Sequence, residues 1–348
     1  MKKLIKMPSI EQFRSIVSNV LRHFSYVGMD ENGEAIFDHT IEKPTITFKG
    51  TVKLHGTNAG VSYNSKDGLW SQSKGNIITV EKDNAGFAFF AHSNENEFMR
   101  LFHDVAEKEN IDMYKNTITI YGEWCGGNIQ KGVGICNLPK SLFIFGVKIT
   151  PHTETEEELK ANPAYWLDSS YLRNEDVRIY NIEDYPTFDV HVDFNNPQLS
   201  QNELIDLTIA VENECPVSKA FGFPNTIGEG LVFSADFKDV RYVFKSKGEK
   251  HSSSKVKTLA SVDVEKINSI LEFIDYSVTV NRFAQACENV FPNEEPIDIK
   301  KMGDVIRWVV NDIIKEEMDT MVQNNLEPKE VNKYISSKVR ELFLKLYV

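Results

Sequence analysis

Positive charge is what this chain is short of. Against 51 Asp and Glu it sets 39 Lys and Arg, a formal net charge of −12 in 348 residues. A protein that coats nucleic acid through bulk charge needs the opposite balance, so that class is excluded, although a local basic groove is not. Cysteine is also sparse: Cys125, Cys136, Cys215 and Cys287 form no CxxC pair, which signals neither a zinc knuckle nor a disulfide framework and fits reduced core thiols. No apolar run approaches a membrane span, and Met1-Lys2-Lys3-Leu4-Ile5-Lys6-Met7-Pro8 lacks the apolar core of a secretory signal. A cytoplasmic protein with no membrane partner is expected. No internal repeat is evident. The hydrophobic and charged fractions, 41% and 26%, are those of an ordinary globular protein, and the length allows two domains.

What the chain does have is a lysine at the end of an alternating strand. Thr45, Thr47, Lys49, Thr51 and Lys53 fall on one face and Ile46, Phe48 and Val52 on the other, the period of a half-buried strand. Lys53 leaves that strand on its polar side and enters His55-Gly56-Thr57-Asn58, where Gly56 permits a tight turn or a close approach to a ligand. A lysine so placed serves as a nucleophile once burial or nearby cations strip its proton. A solvated strand-end lysine gives the same short pattern.

Residues 9–24 carry Ile10, Phe13, Ile16, Val17, Val20, Leu21 and Phe24 at helical spacing, with Ser9 as the expected N-cap. Asn58–Tyr63 and Leu69–Lys74 read as a hairpin around Asp67-Gly68. Asp83–Val105 is aromatic-rich with a helix expected in its second half, and Asn116–Trp124 alternates as a strand that puts Glu123 on the face of Thr117, Thr119 and Tyr121. Ser141–Ile149 is an apolar strand, and the segment from there to Asp193 reads as irregular, its acidic run a solvated surface. Asn202–Glu212 is helical, Pro216–Ile227 a loop rich in Gly and Pro, and Gly230–Ser234 and Val240–Ser246 adjacent strands. Beyond about Ser261 three helical stripes follow, opening at Val264, Met302 and Val331. The expected domains are 1–258, which carries the strands, and 259–348, which is helical.

Four charged positions can complete a site with Lys53. Glu123 ends a strand just before Cys125-Gly126-Gly127-Asn128-Ile129-Gln130, where its carboxylate can meet a ribose hydroxyl or a metal while the glycines admit the ligand. Glu229 lies between Gly228 and Gly230, a strand-edge carboxylate available to a hydrated cation; a plain turn glutamate reads the same. Lys245 and Lys247 share a strand face with Arg241 and Val243. Two parallel cations suit a polyphosphate and make a neighbouring amine easier to deprotonate. An edge strand guarded by lysine is the alternative.

Taken together, Lys53-Leu54-His55-Gly56-Thr57-Asn58, Tyr121-Gly122-Glu123-Trp124, Phe143-Ile144-Phe145, Gly228-Glu229-Gly230-Leu231-Val232 and Val243-Phe244-Lys245-Ser246-Lys247 resemble the ordered motifs of covalent nucleotidyltransferases. The RNA ligase 2 family of ATP-dependent RNA ligases is the nearest match: the His-Gly-Thr-Asn wording and Gly-Asn-Ile-Gln-Lys after Glu123 favour it over DNA ligases and capping enzymes. The resemblance runs from about Thr45 to Lys257. It implies an α+β fold, with an adenylation domain of antiparallel sheets and flanking helices followed by an all-α C-terminal domain. It also implies ATP with Mg2+ or Mn2+, and Lys53 as the nucleophile that carries AMP.

By the same resemblance Leu54, His55 and Asn58 would lie by the nucleotide, Glu123 on the ribose side, Phe145 against adenine, and Lys245 and Lys247 on phosphates. Glu229, with Glu123, would hold a metal hydrate. The implied partner is RNA with 5′-phosphate and 3′-hydroxyl ends, in a duplex nick, and a monomer is expected. Two departures stand out. Gln72-Ser73-Lys74 occupies the place of a usual arginine, and lysine lacks the bidentate fork for phosphate. Phe145 is followed by Gly146 where close relatives carry aspartate. A DNA ligase or GTP-using capping-type enzyme would share the lysine chemistry, and a non-catalytic nucleic-acid-binding protein with a decayed pocket would share the departures.

Overall fold

The structure, a computed structural model, describes residues 2–31, 33–153, 155–238, 240–248, 263–291 and 296–346. The boundary expected at 258, the lysines Lys250, Lys255 and Lys257, and the acidic Glu154, Glu294 and Glu295 lie outside the described residues.

The alternating strand forms as its sequence requires. β4 (Thr45–Val52) buries Ile46, Phe48 and Val52 and exposes Thr45, Thr47 and Lys49. It sits fourth in a five-stranded sheet ordered β1 (Glu11–Gln12), β14 (Val240–Lys247), β13 (Gly230–Phe237), β4, β12 (Phe188–Asp193). β13 pairs antiparallel with both β14 and β4, while β1 adds a parallel edge. The buried face is held by aromatic packing, with the rings of Phe13, Phe48 and Phe233 lying 5.2, 5.1 and 5.0 Å from that of Phe244. Such contacts add to simple burial of area. Side-chain alternation then leaves Arg241, Lys245 and Lys247 on the opposite face.

A larger sheet runs β10 (Tyr165–Leu167), β9 (Ser141–Pro151), β8 (Asn116–Cys125), β5 (Thr57–Asn64), β6 (Gly68–Ser73), β7 (Ile77–Ile78), with β11 (Ile179–Asn181) parallel to β9. One face of this sheet packs Val61, Ile120, Trp124 and Ile144 against Phe90 and Phe98 of the helices α2 (Phe87–Ser93) and α3 (Glu95–Lys108). Asn58, Gly60, Tyr121 and Glu123 therefore point to the other face. A register shift sharpens that division. Tyr121 pairs with Gly146 but Gly122 with Ile144, so Phe145 is the extra residue of a bulge. Since Ile144 and Val147 both enter the helix-packed core, Phe145 and Gly146 turn to the polar face, as bulges commonly re-aim side chains.

β2 (Tyr26–Met29) and β3 (Ala35–Phe37) form a separate hairpin. The remaining helices are α1 (Phe13–Ser25), α4 (Glu156–Ala161), α5 (Gln201–Asn213), α6 (Pro216–Ala220), α7 (Val264–Ser277), α8 (Val280–Val290), α9 (Met302–Glu316), α10 (Met318–Gln323) and α11 (Pro328–Leu344). The architecture is mixed α+β, its sheets mainly antiparallel, with a helical C-terminal region. Two compact units comprise Met1–Ile16, Ile46–His191 and Glu203–Leu259 on one hand, and Val17–Thr45, Val192–Asn202 and Ala260–Val348 on the other. In the second, Phe273, Val309, Ile335 and Phe343 share one apolar core. Arg282 on α8 bonds both Asp312 and Glu317.

Several local expectations need correction. The first helix starts at Phe13 and Ser9 does not cap it, because Glu11 and Gln12 pair with Phe244 and Lys245 as a strand. Helix covers Phe87–Lys108 in two pieces and not only the second half of that stretch. The segment between Ile149 and Asp193 holds β10, β11 and β12, strands of three to six residues that form by pairing, β10 and β11 with β9 and β12 with the distant β4. Pro216–Ala220, read as loop, closes one helical turn. The helix α8 was not among the expected stripes because Ala286 and Cys287 give its buried side little apolar weight.

Candidate active site

The end of β4 fixes the lysine. The Lys53 N–H donates to the Gly230 carbonyl at 2.8 Å, which sets the residue beside Glu229. Lys53 Nζ then lies 2.6 Å from Glu229 Oε2. The Glu229 side chain is only 1% exposed, and it takes two more partners: Lys247 Nζ at 2.5 Å on Oε1 and His55 Nδ1 at 3.2 Å on Oε2. Gly230, at φ +139°, makes this possible, since a Cβ there would strike the Ser246 carbonyl. Burial pushes the Glu229 carboxyl up, but Lys53 and Lys247 outweigh it and hold the group below the ordinary carboxylate range.

Lys245 and Lys247 leave β14 on one face, as expected, yet they do different things. Lys247 is paired with Glu229, whereas Lys245 forms no ion pair among the described residues. Burial, then the charges of Lys247, Lys53 and Lys74, push the Lys245 ammonium down. The electrostatic influence of Lys74 places it in the same cationic group. Leu54 is 5% exposed and meets Lys53 Nζ through its carbonyl, at 3.5 Å.

Glu123 stands directly across from Asn58 on the neighbouring strand. Its Oε1 accepts the Gly56 N–H at 2.9 Å, and a Cβ on Gly56 would run into the Trp124 carbonyl. The glycine is thus required by a close approach of two backbones, and Glu123 pins the loop that follows the lysine. Burial pushes the Glu123 carboxyl up to about 7, against the pull of Lys53 and the Gly56 N–H. The native protein holds this proton more tightly than an unfolded chain. Its contribution to stability is therefore full below about pH 4.5 and is lost as pH rises to about 7. Thermal melts across that range should show wild type losing stability relative to Glu123→Gln, with no further divergence above pH 7. Parallel melting curves would contradict this.

Phe145 is half-buried on the polar face, while Phe143, opposite Glu123, is fully buried against Tyr180, Tyr185 and Phe221. The residue that sequence reasoning missed here is Trp166. It pairs with Lys148, lies with its ring 5.5 Å from that of Tyr121, and has the Arg241 guanidinium 5.0 Å over it. A Cβ at Gly146 would come within 3.0 Å of Trp166 Cζ3, so the indole fills the space that a larger residue at position 146 would need. No local signal marks Trp166, since β10 is three residues long. Gly146→Asp is expected to destabilise by roughly 1–3 kcal/mol through overpacking, read as a lower melting temperature, with recovery in the Gly146→Asp/Trp166→Ala double variant. Unchanged melting of the single variant would show that the indole yields freely.

Two mainly antiparallel sheets thus present polar faces around a lysine–glutamate cluster, a mixed α+β protein with a charged site suited to a phosphate-bearing ligand. The chain belongs to the RNA ligase family, whose model matches residues 46–247, a span that contains every candidate residue from Lys53 to Lys247. Among solved structures it is similar to a Naegleria gruberi RNA ligase with PPi, at 15% identity and TM-score 0.40, covering 72% of this chain and 58% of that one. A mutant of that ligase with ATP and Mn gives 14% identity and TM-score 0.39 over the same shares. An archaeal ATP-dependent RNA ligase gives 12% and 0.34, covering 90% of this chain and 64% of that one. The chain thus spans 58% of the length of the Naegleria structures it matches. No curated protein matches. Among the described residues no helix is long and apolar enough to cross a membrane.

Proposed function

We propose that this protein is an ATP-dependent RNA ligase of the RNA ligase 2 type, acting through lysyl-AMP and RNA-adenylate. The observation that carries the reading is the Lys53 amine, held by a buried carboxylate 2.6 Å away with Lys247 on the same group and Lys245 beside it. Lys53 Nζ gives up its contact with Glu229 and loses protons to solvent, attacks the α-phosphorus of ATP, and a P–N bond forms as the P–O bond to pyrophosphate breaks and pyrophosphate leaves. An RNA 5′-phosphate oxygen then attacks the same phosphorus and frees the amine. A 3′-hydroxyl finally attacks the RNA phosphorus, AMP leaves, and a phosphodiester results. Such transfers depend on positioning and charge neutralisation, which Lys245, Lys247 and Lys74 supply to the phosphates. Asn58 and Glu123 share a face, Asn58 for the reacting phosphate and Glu123 for the ribose, and Phe145 offers a ring to the base.

Magnesium or manganese fits the donor chemistry in part. Glu229 and Glu123 offer hard oxygen ligands, but among the described residues no three His, Cys, Asp or Glu side chains converge. Such a site suits an ion that keeps waters and leans on substrate phosphates. When bound, it would neutralise charge on the phosphate oxygens. Both Glu229 oxygens are occupied by lysine, so a metal there would take the place of one of those contacts.

Incubation with ATP and Mg2+, followed by intact mass measurement, should add one AMP. A GMP adduct formed in preference would point to a capping-type enzyme, and wild type that never gains a nucleotide would leave the non-catalytic reading. Sealing of pre-adenylylated nicked RNA, nicked DNA and single-stranded RNA in parallel tests the duplex-nick substrate. Residues 259–348 are proposed as the part that engages RNA during sealing.

A further inference from the structure

The N-terminal residues lie outside the family match, yet they are built into the sheet that bears Glu123. Lys2 Nζ donates to the Leu69 carbonyl, and Trp70 Nε1 donates to the Lys3 carbonyl at 3.1 Å. Gln72 then clasps Ile5 at both ends of its amide: the Ile5 N–H donates to Oε1 at 3.2 Å, and Nε2 donates to the Ile5 carbonyl at 2.5 Å. The Tyr121 hydroxyl donates to that same carbonyl at 2.6 Å. Gln72 is 1% exposed and Tyr121 is fully buried, so two sealed polar side chains are spent on the backbone of one residue. A loose tail would not be held in this way.

The register gives the direction. Residues 2, 3 and 5 meet residues 69, 70 and 72 in order, so the segment runs over β6 in the direction of its Lys74 end. A few residues on, Gln12 pairs with Lys245. The segment therefore runs past Lys74 and on toward the strand that carries Lys245, with Lys3 and Lys6 exposed along its course. Both side chains are exposed and make no ion pair among the described residues. In a chain of net charge −12, a run with three lysines and no acid before Glu11 is out of character with the rest.

We infer that residues 2–8 form a fixed arm whose Lys3 and Lys6 bind backbone phosphates of the RNA strand, adding to the cationic group of Lys245 and Lys74. The inference rests on the RNA-ligase reading for the identity of the polyanion. It does not require that Lys53 be adenylylated. Phosphate contacts of this kind act through release of counterions, which makes their number readable from salt dependence.

The test uses the full chain with Lys3→Gln/Lys6→Gln, and Lys3→Arg/Lys6→Arg as the conservative pair. Binding of a short fluorescein-labelled single-stranded RNA is followed by anisotropy while salt is varied, and the AMP adduct is followed by mass. The Gln pair should bind roughly tenfold more weakly, with the slope of log affinity against log salt shallower by about 1.4, roughly 0.7 for each lost phosphate contact. The Arg pair should restore both, and all three proteins should form the adduct at one rate. Unchanged affinity and slope in the Gln pair would overturn the arm, as would a slower adduct, which would place the lysines on the nucleotide. If wild type forms no adduct while the Gln pair still loses affinity, the enzyme reading fails and the arm stands.

Discussion

Lys53→Ala should gain no AMP, a loss on the order of 10⁴-fold or more, as for removal of a covalent nucleophile. Alanine alone does not separate chemistry from charge, because it also strips one of the two lysines from a carboxylate that is 1% exposed. Lys53→Arg does: a guanidinium stays charged and can still face Glu229, but it offers no free amine. Both variants should lack the adduct, and the arginine variant should melt closer to wild type. Joining of RNA that already carries AMP on its 5′-phosphate needs no amine at position 53, so both should retain part of that step. An adduct in either variant would place the nucleophile elsewhere, and the case built on the 2.6 Å contact with Glu229 would fall with it.

How much of this was legible in the chain depends on the range of the forces involved. The alternation of β4 and of Arg241 to Lys247 is local, and the structure follows it residue for residue. The expected neighbourhood of Lys53, Glu229 and Lys247 also forms, because β13 pairs with both strands that carry the lysines. What the sequence hid is the sharing. Nothing in Gly228-Glu229-Gly230 announces that one buried carboxylate will take two lysines and a histidine, or that Lys245 will be left without one. The bulge at Phe145 breaks a period that plain alternation would have carried through. Trp166 and the Gln72 clasp on Ile5 are contacts across 20 and 67 positions, set by sheet pairing and by the course of the segment after the first residues. Ser9 failed as a cap for the same reason: Glu11 and Gln12, between it and the helix, pair with Phe244 and Lys245 as a strand.

Glu229→Gln should slow adduct formation by about 10²-fold or more while leaving the protein folded. The amide keeps the volume of the side chain and one acceptor, but its NH2 end must face an ammonium, so one of Lys53 and Lys247 loses its partner. Removing one member of a buried ion pair costs about 3–5 kcal/mol where the survivor stays sealed. Here the lysines are 18% and 30% exposed and can turn to water, which reduces the cost in stability but moves Lys53 Nζ away from the line of attack. A displacement of about 1 Å is enough for a loss of that order. The pH dependence gives a second reading. Because the Glu229 carboxyl is held below its ordinary range, its stabilisation is present above about pH 4.5 and is lost as pH falls below that. Acid melts of wild type should therefore drop toward those of Glu229→Gln below pH 4.5, the two differing at neutral pH. A Gln variant that forms the adduct within threefold of the wild-type rate would mean that the carboxylate only fills space between the two sheets.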